Sequence, residues 1–309
     1  MAVVTLPLHF FAILIAPRIF IMSNTALYYA RVVLAIVVLM VSAAYGTIAS
    51  LVCTLIGKQH LAQYTTARFY YYAMKWIMGI DVKVIGEEKL ENKPFIAVSN
   101  HQSTLDILML GRMFPPGCTI TAKTSLKWVP FLGWFMALSG TYFLNRSNRK
   151  QSVDTLNDGL RTIKEKKRAL WIFPEGTRSY STDLKLLPFK KGAFHLAQQG
   201  KIPIVPIIVS NTSTLMNSKN KVFNRGVITV KVMDPISTEE LTPEGVAQFS
   251  EDLHDKMFAE LKNIGYSEAI NETNIPAEAI AFQKAHEAES IVSDGKTSSA
   301  TSGSSVHQE

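Results

Sequence analysis

Residues 95–114 read FIAVSNHQSTLDILMLGRMF. The first five have the length and composition of a strand, and the residues after them decide the fold. His101 and Asp106 are five residues apart, which on one helix would turn them about 140° from each other at ~100° per residue. They can face each other only if His101 lies in the loop after the strand and Asp106 in the first turn of the next helix, with Ser103 or Thr104 as its cap. A carboxylate there suits the positive end of the helix dipole. It could accept a hydrogen bond from one imidazole nitrogen and leave the other free to take a proton. A lone histidine after a strand is more often bonded to nearby backbone; Asp106 is what raises the catalytic reading. A serine-hydrolase reading, with Ser103 as nucleophile, lacks a Gly-x-Ser-x-Gly elbow.

Further β-rich runs lie at 82–85, 119–121, 141–144, 170–173, 204–209 and 227–232. Helical patterns separate several of them. Val153, Leu156, Leu160 and Ile163 form one stripe, and a later helix near 244–263 has Thr242 as cap, Pro243 in its first turn and Val246, Phe249, Leu253, Met257 and Leu261 on one side. This alternation predicts an α/β fold with a largely parallel or mixed sheet flanked by helices. Four strands run straight into reactive residues: 95–99 into His101 and Asp106, 119–121 into Lys123, 141–144 into Asn145 and Arg146, and 170–173 into Pro174, Glu175, Gly176, Thr177 and Arg178. If those strands are parallel, all four sets meet at one sheet edge, where open α/β folds place their sites. Gly176 permits close backbone approach and Arg178 offers a planar fork for phosphate, although the spacing is not that of a P-loop. Residues 202–207, IPIVPI, form a proline-marked apolar strand, read as core or edge with the lining of an acyl channel as the alternative.

Of the 309 residues 47% are hydrophobic and 18% charged, which points towards a bilayer. Residues 32–57 contain no charged side chain and are fenced by Arg31 and Lys58. As a helix rising ~1.5 Å per residue they exceed the ~30 Å hydrocarbon core. Residues 1–16 are also uncharged but lack a basic leader and a cleavage signal, so they read as a second apolar helix broken near Pro17. Residues 62–78 mix aromatics with Arg68 and Lys75, a composition suited to a bilayer interface. The net charge of +7 suits an anionic lipid or substrate, since no nucleic-acid motif accompanies it. Two cysteines give neither a disulfide framework nor a zinc pattern, and no metal site is expected. From about 290 the chain is Ser/Thr/Gly-rich and reads as disordered. The organisation expected is therefore membrane helices over 1–60, an α/β domain over 61–270 and an extension over 271–309.

Four motifs in order carry a resemblance. His101 and Asp106 match His-x4-Asp; Phe143 and Arg146 match the end of a second block; Phe173 to Ser179 read FPEGTRS; and residues 202–207 give a proline-rich apolar strand. Together they resemble the glycerolipid acyltransferase family, in particular the fungal 1-acyl-sn-glycerol-3-phosphate (lysophosphatidic acid) acyltransferases, over roughly residues 30–265. The resemblance implies acyl transfer from acyl-CoA as co-substrate, with no cofactor, no metal and no covalent acyl-enzyme. His101 would deprotonate the sn-2 hydroxyl with Asp106 orienting it; Arg146, Glu175, Gly176, Thr177 and Arg178 would hold the phosphate and glycerol, with Lys123 a further anion contact. It also implies the endoplasmic reticulum membrane, with lipid droplets as an alternative, and names no protein partner. Two other readings stay open: action on choline- or inositol-bearing lysophospholipids, and a non-catalytic lipid-binding protein.

Overall fold

The computed structural model describes residues 23–145, 149–270 and 273–286. Its centre is a sheet built from β1 (Ile80–Ile85), β2 (Phe95–Ser99), β3 (Cys118–Lys123), β4 (Tyr142–Leu144), β5 (Ala169–Ile172), β6 (Ile204–Val209) and β9 (Gly226–Val232), with β10 (Glu268–Ala269) beside β9. A separate hairpin pairs β7 (Met216–Asn217) with β8 (Val222–Phe223). The strand order is β1, β9, β6, β2, β5, β3, β4. From β6 to β4 every neighbouring pair is parallel. β9 runs antiparallel to β6 and carries β1 alongside it, so the sheet is mixed at one end. All seven expected strands are present, within a residue or two at their ends.

The sheet has helices on both faces because its central strands bury both sets of side chains, which is why they read as continuous apolar runs. Phe95 and Ala97 of β2, with Trp171 of β5 and Val205 and Ile207 of β6, pack towards α1 (Asn24–Leu55), α2 (Ala62–Ala73) and α3 (Asp106–Met113). The alternate residues Ile96, Val98, Leu170 and Ile208 pack towards α5 (Arg149–Glu165), α6 (Gly192–Gly200) and α7 (Val246–Ile264). Leu156, Leu160 and Ile163 of the expected stripe do face this second cluster; the side chain of Val153 lies outside the described residues. α7 begins at Val246 rather than directly after Thr242, because Thr242 to Gly245 form a preceding turn in which the Thr242 Oγ1 accepts from the Gly245 amide. β6 is buried throughout and contributes nothing to the wall of the cavity at the sheet edge, so the core reading of residues 202–207 holds and the channel reading does not.

α1 is long and apolar enough to cross a membrane, and it presents Val33, Ile36, Val37, Val41, Ile48 and Leu51 outward. Its inner side, with Val38, Ala43 and Gly46, packs on α2 and on α4 (Leu132–Leu138). α2 continues through a wider turn, Met74–Met78, where Trp76 is exposed. The second apolar helix expected over 1–16 and the tail from 290 lie outside the described residues. Residues 277–286 are helical, and Phe282 sets its ring edge-on against Tyr266.

Gly46 is where α1 comes closest to its neighbours: a Cβ there would lie 2.6 Å from Thr66 Cγ2 and 2.7 Å from Phe135 Cδ2. A side chain at 46 must therefore push α1 away, overpacking that costs about 1–3 kcal/mol and outweighs the better helix propensity. We expect Gly46→Val to lower the melting temperature of the detergent-purified protein by several degrees. Gly192→Ala, where a Cβ meets nothing within 4 Å, is expected to leave it nearly unchanged. Equal melting temperatures for the two variants would contradict this packing.

Candidate active site

The parallel strands deliver their C-terminal ends to one edge, and β2 hands the chain to the loop carrying His101. This loop is fastened before the histidine is reached. Asn100 exchanges two 2.9 Å hydrogen bonds with the backbone of Val209, and the Gln102 amide donates to the carbonyls of Val209 and Ser210 while accepting from the Thr212 amide. The loop is thus clamped to the end of β6 by buried amides that neighbouring strands cannot replace.

Asp106 is the first residue of α3 and is 1% exposed. Its Oδ2 accepts from His101 Nδ1 at 2.5 Å, from the Gln102 amide at 2.8 Å and from the Ser103 amide at 3.1 Å. The arrangement of loop histidine and first-turn aspartate is the one the five-residue spacing requires. The expected cap differs: Leu105 holds the cap position, and the Ser103 Oγ accepts from the Leu105 amide, while the Thr104 hydroxyl lies against Met216 Sδ. The carboxylate itself gathers the loop amides, leaving a hydroxyl cap less to do. The His101 ring stacks on Phe173 at 4.2 Å between centroids, which fixes its plane. With Nδ1 donating to Asp106, Nε2 carries the free lone pair.

A cavity of about 450 Å³ opens on this pair. His101, Asp106, Thr177, Arg178 and Lys123 lie in its wall, so the structure brings five of the eight expected site residues together. Among the described residues neither Arg178 nor Lys123 pairs with a carboxylate, and Arg178 Nε is buried without a partner. Most of the rest of the wall is apolar: Leu39 and Ala43 from α1, Leu110 from α3 and Phe114 just after it, Phe135 and Met136 from α4. α3 gives residues 106, 107, 110 and 111 to this wall, one face of a helix, and Phe114 at its end continues the line, so the cavity runs back from the histidine for about 12 Å at ~1.5 Å per residue.

Glu175 and Gly176 are placed differently from the substrate contacts expected of them, outside the cavity wall. Glu175 is 3% exposed and braces two segments: Oε1 accepts from the His101 amide at 2.7 Å and Oε2 from the Leu187 amide at 3.1 Å. Gly176 has φ +68°, and a Cβ there would meet Lys190 Nζ at 2.8 Å, so glycine serves a tight turn under the lysine chain. Arg146 lies outside the described residues. Reading the sequence missed Gln102, Phe173 and Tyr180. The first two flank motif residues and could have been found as a buried amide and a ring adjoining them; Tyr180 carries no periodic signal. Among the described residues no group of three or more His, Cys, Asp and Glu side chains is placed to hold a metal ion.

Burial outweighs the pull of the His101 and Leu187 amides and, with the Asp106 charge adding to it, leaves the Glu175 carboxyl pushed up to about 7. An acid raised from its ordinary 4.5 stabilises the fold fully below about pH 4.5, and that contribution is lost as pH rises through about 7. Glu175→Gln removes the titration and turns an amide NH₂ towards a backbone N–H. We expect the variant to melt below the wild type, with the gap narrowing between pH 4.5 and 7.5. A gap that is constant or widens over that range would show that Glu175 does not titrate there.

The Acyltransferase family profile matches residues 81–210, the segment from β1 to the end of β6 that holds these features. The chain is 64% identical over 256 residues to the 1-acyl-sn-glycerol-3-phosphate acyltransferase of Saccharomyces cerevisiae, covering 83% of this chain and 84% of that one. It is 36% identical over 239 residues to 1-acyl-sn-glycerol-3-phosphate acyltransferase beta of Homo sapiens, covering 76% and 84%. In fold it is similar to the crystal structure of the 1-acyl-sn-glycerophosphate acyltransferase PlsC from Thermotoga maritima, with a TM-score of 0.51 over 71% of this chain and 95% of that one at 24% identity. With a histidine and aspartate in contact at a parallel sheet edge and relatives this close over most of their length, the chain belongs to the 1-acyl-sn-glycerol-3-phosphate acyltransferase family.

Proposed function

We propose that the chain transfers an acyl group from acyl-CoA to the sn-2 hydroxyl of lysophosphatidic acid, giving phosphatidic acid. One observation carries the reading: the His101–Asp106 pair and Arg178 share a single cavity with the inner side of α1. An acceptor of this kind has an acyl chain, a hydroxyl and a phosphate. The cavity has apolar walls, a poised imidazole and cations to meet them.

In the proposed step His101 Nε2 takes the proton of the sn-2 hydroxyl while its oxygen attacks the thioester carbonyl. The tetrahedral intermediate collapses by breaking the C–S bond, and the departing sulfur takes the proton back from the imidazolium. Asp106 holds the ring through Nδ1 and stabilises the imidazolium while it exists. A thioester is already a good acyl donor, so activating the alcohol is the main task of the site. Arg178 and Lys123 favour the phosphate of the acceptor and disfavour a choline headgroup, whose quaternary nitrogen would meet them with like charge. For the same reason we favour lysophosphatidic acid over choline-bearing lysolipids. For location we propose the endoplasmic reticulum membrane, with lipid droplets as the alternative, a reading that the apolar α1 supports only as membrane association.

General-base catalysis contributes about 10²–10⁴-fold. We therefore expect His101→Ala to lower turnover of oleoyl-CoA with lysophosphatidic acid by at least 10²-fold while the protein still accumulates in membranes. Near-normal turnover by well-folded variant would reject His101 as the base. A wild type that acylates lysophosphatidylcholine faster than lysophosphatidic acid would reject the acceptor.

A further inference from the structure

We propose that Tyr180 is an acceptor-binding residue, its phenol hydroxyl joining Arg178 to hold the phosphate of the lysolipid. This inference rests on the proposed acceptor and adds a residue to its recognition.

Tyr180 lies in the cavity wall next to Arg178 and Thr177, two residues beyond the arginine. It is 61% exposed, so the ring fills no space in the core. Its backbone nevertheless has φ +49°, a left-handed conformation that a residue with an aromatic side chain rarely adopts without a reason. The conformation is imposed from both sides. Ahead of it, the amides of Ser179 and Tyr180 donate to the carbonyls of His101 and Gln102, each at 3.0 Å. Behind it, Asn211 Nδ2 donates to the carbonyls of Ser181 and Asp183, and the Tyr266 hydroxyl to that of Thr182. The segment is therefore registered directly on the loop that carries the base.

The inventory of donors gives the phenol its task. Arg178 Nη1 donates to the Tyr180 hydroxyl at 3.3 Å, which engages the oxygen as an acceptor and leaves its O–H to donate. Among the described residues no group accepts from that O–H, and no carboxylate pairs with the guanidinium beside it. Thr177 and Lys123 line the same wall. Tyr180, Thr177, Arg178 and Lys123 bring several donors, two of them cationic, to one part of the wall, which is complementary to an anion with several acceptor oxygens, and a phosphate monoester is the part of the acceptor that has them. Because the loop after β5 that carries these groups is hydrogen-bonded to the loop after β2 that carries His101, a phosphate held here is kept at a fixed distance from the imidazole, which sets the sn-2 hydroxyl beside Nε2 rather than elsewhere along the lipid.

The test uses the full-length chain in mixed micelles, varying lysophosphatidic acid at saturating oleoyl-CoA and then the reverse. Tyr180→Phe keeps the ring and removes the hydroxyl. It should raise the KM for lysophosphatidic acid about tenfold, as loss of a hydrogen bond to a charged group does, with kcat within about twofold and the KM for oleoyl-CoA unchanged. Tyr180→Gly relieves the backbone conformation and should show the same rise, together with an equal or higher melting temperature. A lysophosphatidic acid KM within twofold of wild type in Tyr180→Phe would overturn the proposal, as would a parallel rise in the oleoyl-CoA KM or a loss confined to kcat. A wild type inactive towards lysophosphatidic acid would instead overturn the proposed function and this inference with it, so the two failures are told apart by the wild-type assay.

Discussion

The Asp106 carboxylate is the constraint that organises the site. Burying an ionised carboxylate is costly unless hydrogen bonds replace its water, and here one oxygen gathers three: the His101 ring and the amides of Gln102 and Ser103. Those three bonds turn the chain sharply between β2 and α3, so the same interaction that orients the imidazole also shapes the loop that carries it. Geometry and chemistry are not separable at this point. A change at Asp106 loosens the loop and frees the ring together, which is why the surrounding clamps matter: Asn100 and Gln102 hold the loop to β6, Glu175 holds the His101 amide, and Phe173 backs the ring. These supports come from several strand ends, and only a parallel arrangement of those strands brings them within reach.

The second constraint is where α1 lies. A helix long and apolar enough to enter a bilayer packs its inner side against α2 and α4, and the residues it turns inward, Leu39 and Ala43, form part of the cavity wall. The cavity is thus mostly apolar on the side of that helix and holds two cations at the sheet edge. A lysolipid has the same division between chain and headgroup. Exposed Trp76, Trp128 and Trp134 stand on the elements around it, in the residue type that favours the boundary between headgroups and hydrocarbon.

Much of this architecture is legible in the residues. The strands announce themselves because those buried on both faces must be apolar throughout, and the five-residue interval between His101 and Asp106 admits only one facing geometry. Lys123, Thr177 and Arg178 can be placed at one edge because parallel strands share a direction. Other features carry no such signal. β7, β8 and β10 have two residues each, too short for any period to show, and α4 lies in a segment whose aromatics suit either a helix or a loop. Glu175 is expected to face a ligand because it sits between motif residues, yet it turns inward: two backbone amides need an acceptor there, and sequence spacing does not reveal where amides point. Tyr180 escapes notice for a similar reason, since its position depends on a backbone conformation imposed by residues about 30 to 85 positions away in the chain.

The proposed role of His101 as a base requires that Asp106 hold it in one tautomer and one orientation. This dependence is measured by kcat/KM of the purified Asp106→Asn variant with oleoyl-CoA and lysophosphatidic acid, alongside its melting temperature. An asparagine keeps the size and one acceptor oxygen but removes the charge that fixes the ring. We expect a loss of about 10²–10⁴-fold in a variant that remains folded. A folded Asp106→Asn protein with kcat/KM close to wild type would show that the imidazole does not need the carboxylate.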